Sequence, residues 1–93
     1  MTVYIDPMVD HGVRRGRAGP RWCHMVADSE DELHQFAHRI GLARSWYQEH
    51  PVHPHYDIGS DRIHALAIRA GAQEITRQEM GQRMLRRASK EQQ

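Results

Sequence analysis

The stretch "SEDELHQFAHRIG", residues 29–41, limits the fold more than any other part of the chain. Ser29 stands three residues before Glu32, the spacing at which two side chains reciprocally satisfy backbone N–H groups at a helix start. Acids at positions 30, 31 and 32 suit the positive end of the helix dipole. Leu33, Phe36, Ala37 and Ile40 recur at i, i+3, i+4 and i+7, and Gly41 suits the stop. A helix with one apolar side needs a surface to cover. Just before it, "WCHMVA" (22–27) is apolar except for His24 and ends at Asp28, which reads as a strand offering that surface.

The same signals recur on either side. "TVYI" (2–5) reads as a short strand ending at Asp6. Residues 7–21 hold two prolines, three glycines and four arginines, and predict a flexible Arg/Gly-rich loop. "LARSWYQEH" (42–50) is an aromatic connector expected to add a helical turn. "SDRIHALAIRAG" (60–71) is a second helix, capped by Ser60 or Asp61 and stopped at Gly71. "AQEI" (72–75) reads as a third strand, and Thr76 with Glu79 opens a last helix anchored by Met80 and Met84. The order is β-β-α-α-β-α. Ninety-three residues suit a single small domain, 1–93. The expected class is α/β, with α+β as the variant: helices packed on a small, mostly parallel sheet of three strands. So narrow a sheet leaves an edge for the last helix or for a second copy in a homodimer.

No apolar run approaches the roughly 20 residues that span a membrane, so no membrane partner is expected. The N-terminus lacks the basic-then-apolar pattern of a secretory leader, and the lone Cys23 rules out an internal disulfide; both fit the cytoplasm. Net charge is +1, so charge matters only where it gathers. Arg14, Arg15, Arg17 and Arg21 meet no acid between them and are expected to contact phosphate. The second basic group, Arg83 to Lys90, equally suits the negative end of a terminal helix.

Polar chemistry concentrates in "HPVHPHYDIG" (50–59). Residues before proline are driven out of the helical region, so His50 and His53 are extended. Alternation in an extended chain puts His53, His55 and Asp57 on one face, a donor set for a divalent zinc, manganese or iron ion. His34 and His38 share ligand spacing on the first helix, although two surface histidines are the plainer reading for His38. His24, in an apolar strand, is either a hydrogen-bonded core histidine or a ligand. If the first two strands are parallel, Asp6 and Asp28 lie together at their ends; if antiparallel, Asp6 lies near Trp22 and His24. Trp46, Tyr47 and Tyr56 either stack a base or pack the connector onto the sheet.

These residues resemble a family of short bacterial and phage proteins, DUF4031. The resemblance runs through "YID" (4–6), "CHMVAD" (23–28), "ELHQFA" (32–37), "IG" (40–41), "WYQ" (46–48), "HYDI" (55–58) and "RIHALAIRAGA" (62–72), nearly the whole chain. The family carries no assigned activity, so the resemblance selects residues and not a reaction. Asp6, His24, Asp28, His34, Gln48, His55, Tyr56 and Asp57 match its motif positions, while His38, His50, His53 and His64 fall outside them. It implies a mixed site in which histidines and carboxylates come from separate elements.

Two functions are consistent with this chain. One is a nuclease-like hydrolase of a phosphate-containing nucleotide or nucleic acid. There His24, His55, Tyr56 and Asp57 act on substrate, either as acid–base groups or around a divalent metal ion. The candidate ligands are His24, His34, His55, Asp57, Asp6 and Asp28; Arg14, Arg15, Arg17, Arg21, Trp46 and Gln48 bind substrate. The alternative is a non-catalytic binding or adaptor module whose His/Asp/Tyr cluster is a structural hydrogen-bond network.

Overall fold

The computed structural model describes residues 2–12, 19–49 and 54–91, of which 86–91 are described by backbone alone. Strands β1 (Val3–Ile5), β2 (Val9–Asp10) and β3 (Arg21–Ala27) lead into α1 (Glu30–Arg39). A short 3-10 turn (Arg44–Trp46) and β4 (Tyr47–Gln48) precede β5 (His55–Ile58). Helix α2 (Asp61–Arg69), β6 (Gln73–Glu74) and α3 (Arg77–Glu91) complete the order.

The helices start where the sequence places them. Ser29 Oγ accepts from Glu32 N at 3.2 Å, and Ser60 Oγ accepts from Ile63 N at 3.3 Å. At α3 the exchange is reciprocal: Thr76 Oγ1 accepts from Glu79 N at 3.1 Å, and Glu79 Oε1 accepts from Thr76 N at 3.4 Å. Gly41 and Gly71 follow α1 and α2 with φ of 80° and 111°, a left-handed backbone that side chains resist.

The sheet differs from the expected one. It is mixed α+β architecture with six strands, ordered β4-β5-β3-β1-β6, with β2 also paired to β3. Among the described residues only β1 and β6 run parallel; the other pairings are antiparallel. Three short pieces account for the difference. The 7–21 segment contains β2, the connector contains β4, and "HYDI" is a paired interior strand. Two-residue strands lack the alternation that reveals a strand in sequence, and β5 has too few apolar residues to stand out.

Register decides which residues share a face, because partners opposite one another project to the same side. Cys23↔Ile58 and Met25↔Tyr56 lie on the side covered by α1 and α2. Ile5, Cys23, Met25, Tyr56 and Ile58 there pack with Leu33, Phe36, Ala37, Ile63 and Ala67. Removing the larger of these, Ile5, Met25, Leu33, Phe36, Ile58 and Ile63, from water stabilises the fold by about 1.5–3 kcal/mol each. On the other side Tyr4↔Val26 is covered through Ile75, Met80 and Met84, with the Arg83 guanidinium 3.4 Å from the Tyr4 ring centroid. His24↔Asp57 shares that second side.

Candidate functional site

The β3–β5 register sets His24 opposite Asp57, and His55 lies two residues before Asp57 on the same face. Gln48, opposite His55, joins them from β4. One ligand-type atom from each of His24, His55 and Asp57 lies within 4.8 Å of the other two. The His24 and His55 ring centroids are 5.5 Å apart at 63°. Two imidazoles bound tetrahedrally to one ion, with metal–nitrogen bonds of about 2.0–2.1 Å, hold their centroids roughly 5.2 Å apart. The two rings are about as far apart as imidazoles sharing one ion, and His24, His55 and Asp57 are the residues that could hold it.

The surroundings restrict these rings further. Asp6, 3% exposed, accepts from the His24 backbone N at 2.6 Å through Oδ1, and its Oδ2 lies 3.1 Å from His24 Nδ1. A carboxylate only accepts, so Nδ1 carries the proton and, in the neutral ring, Nε2 keeps a lone pair that can bind a metal ion or accept from a substrate N–H or O–H. Asp57 is 1% exposed, with His55 Nε2 at 3.2 Å from its Oδ1. Asp6 is itself fixed: its carbonyl accepts from His64 Nε2 at 3.0 Å, and Glu74 Oε2 stands 3.8 Å from the same nitrogen. Beyond His24, the Trp22 ring meets its edge at 5.1 Å, and His11 stacks on Trp22 at 3.7 Å.

A separate polar cluster lies on the opposite face. His34 Nδ1 is 2.9 Å from the Tyr56 hydroxyl, and Tyr47 donates to Glu30 Oε1 at 3.1 Å. Burial, then the nearby Arg44 charge, pushes the His34 pKa below its ordinary value. Burial, with help from the Glu30 hydrogen bond, raises Tyr47 to about 12, and burial raises Tyr56. Neutral His34 and un-ionised tyrosines are the forms this cluster holds.

The family described as "Protein of unknown function (DUF4031)" matches residues 3–87. The chain belongs to the DUF4031 family. No curated protein and no solved structure matches it.

The DUF4031 motif positions singled out above divide between the two faces. His24, His55, Asp57, Asp6 and Gln48 gather on one; His34 and Tyr56 face the other, so the sheet separates them from the first group. Asp28 is exposed at the far end of β3, four residues or about 13 Å from His24, and accepts from Thr2 N at 2.9 Å. The antiparallel β1–β3 pairing thus selects the second of the two arrangements open to Asp6. Trp46 is half-buried against the main core. Arg21 points with Cys23 toward the α2 side, its guanidinium 3.2 Å from Asp61. Arg14, Arg15, Arg17, His50 and His53 lie outside the described residues. His38 is exposed on α1. Sequence reading passed over His11 and set His64 aside. Neither sits in a periodic pattern, and only the return of β2 and α2 to the ends of β1 and β3 brings them near the site.

Proposed function

We propose that this DUF4031 protein binds a divalent metal ion through His24, His55 and Asp57 and uses it to hydrolyse a phosphate ester of a nucleotide or nucleic acid. The convergence of those three donors, His55 and Asp57 buried and His24 half-buried, carries the reading. Three protein ligands leave a coordination position for water, and two imidazoles with one carboxylate suit zinc, manganese or iron. The ion would lower the pKa of that water and supply the nucleophile. Asp6 orients His24, and Gln48, opposite His55, borders the open position. A lone, buried Cys23 suits a reducing cytoplasm. Among the described residues no helix is long and apolar enough to cross a membrane.

Metal content of untagged protein purified without chelator tests the reading, for wild type, His55→Ala and His38→Ala. About one ion per chain in wild type and His38→Ala, lost in His55→Ala, is the expected result. Wild type without metal after zinc, manganese and iron loading sinks it.

The binding-module reading has its own support: Asp6, His24, His64 and Glu74 tie β1, β3, α2 and β6 together through polar contacts that need no ion. It predicts a metal-free wild type and a large loss of melting temperature in His24→Ala.

A further inference from the structure

We infer that His11, laid on Trp22 beside His24, is a stacking platform for a nucleobase. The proposal rests on the hydrolase reading and narrows its substrate to a nucleotide unit, free or within a single strand.

His11 is firmly placed. Its backbone N donates to the Pro20 carbonyl at 2.7 Å, closing the β2–β3 hairpin. Asp10 Oδ1 accepts from Gly12 N at 2.8 Å as the chain turns through a φ of 76° at Gly12. Nε2 donates to the Trp22 carbonyl at 3.1 Å, and the imidazole lies on the indole at 3.7 Å and 26°. That contact occupies one face of the ring. The residue is half-buried, so part of the ring reaches solvent, and His24 stands edge-on to it at 6.3 Å. That solvent-reaching part is the surface proposed for a flat partner.

The other aromatic residues near β4 and β5 do not serve. Tyr56 is 1% exposed and on the far face of the sheet. Tyr47 lies with His34 on that far face, and Trp46 packs against the core. His11 and Trp22 instead continue the row His55, His24, Trp22, with centroid steps of 5.5 and 5.1 Å. With His24 6.3 Å from His11, the phosphate of a nucleotide stacked there is within reach of the His24 side of the site. The arginines at 14, 15 and 17 follow directly in the chain. Aromatic stacking tolerates every base, since each has a π face, and favours binding by roughly 5- to 150-fold per base.

A Trp46→Phe background leaves Trp22 as the one tryptophan, so its fluorescence reports on ligands above it. We would titrate metal-free and zinc-loaded protein with adenosine monophosphate, ribose phosphate and a short single-stranded oligonucleotide. A base-bearing ligand should bind about tenfold more tightly than ribose phosphate. Whether the mononucleotide or the strand binds better identifies the source of the base. His11→Ala should abolish the preference and His11→Phe, which keeps a flat ring on Trp22, should retain it. Equal binding of adenosine monophosphate and ribose phosphate by the His11 protein overturns the platform without recourse to any His11 variant. Equal weakness of His11→Phe and His11→Ala, both melting near wild type, also overturns it, because the ring face would then not be what binds. Zinc binding without base preference removes this inference alone; base preference without metal removes the hydrolase reading and leaves the platform standing.

Discussion

Asp6 commits both carboxylate oxygens to His24, one to its backbone N at 2.6 Å and one facing its Nδ1 at 3.1 Å. This fixes strand pairing and ring tautomer with one side chain. It also explains a buried acid at the end of β1, where an apolar residue would pack at lower cost. An imidazole so held presents Nε2 to whatever occupies the site, as outer carboxylates do for metal-bound histidines.

Asp6→Asn keeps the shape and one acceptor but loses the charge that holds the Nδ1 proton. Zinc affinity should fall about 10- to 100-fold, the usual effect of removing an outer-shell partner. Competition against a chromophoric chelator measures it. Unchanged affinity with an unchanged melting curve would show that Asp6 serves β1–β3 pairing only.

Tyr56→Phe tests whether the two polar clusters are independent. The hydroxyl reaches His34 on the α1 side, while the metal donors lie across the sheet. Stability should drop by about 1 kcal/mol in urea denaturation, the net worth of one such hydrogen bond, with zinc affinity unaltered. A shift in zinc affinity would instead couple the faces through β5.

These two variants mark where sequence reading succeeds and stops. The helices were legible because caps and apolar spacing are local. Ser29, Ser60 and Thr76 each accept the backbone N–H three residues on, and the reciprocal bond that the capping-box spacing implies forms at Thr76 and Glu79. "HYD" was legible as a polar concentration, and alternation correctly put His55 with Asp57 and Tyr56 opposite. Partnership across the sheet was not legible. His34 and His24 stood as equal candidates until β3–β5 register put them on opposite faces, and register depends on contacts between residues far apart in the chain. His11 and His64 enter by the same route, through strand return rather than local pattern.

Cys23 should be inert in the native state. It is 1% exposed, and burial, followed by the Asp6, Asp57 and Asp61 charges, pushes the thiol well above its ordinary value. An aromatic disulfide reagent in mildly alkaline buffer should react slowly and accelerate steeply through the urea transition. Rapid stoichiometric labelling of folded protein would contradict this burial.

His34 gives the chain an acid-sensitive contact. Burial and the Arg44 charge lower its pKa, against smaller opposing effects from Glu30 and Asp31, while Tyr56 and Tyr47 face its ring. The unfolded chain therefore takes up a proton near the ordinary value of 6.5 while the folded chain resists it. Below that value the unfolded state binds more protons, so stability rises with pH. His34's contribution is complete above the unfolded value and is lost as pH falls toward the folded one. His34→Asn keeps a hydrogen-bonding atom near the Tyr56 hydroxyl and removes the titration. Between about pH 7 and about pH 5, wild type should lose more melting temperature than this variant, the difference isolating His34 from the other histidines. Parallel curves for the two proteins across that window would show that the lowered affinity for a proton has no bearing on folding.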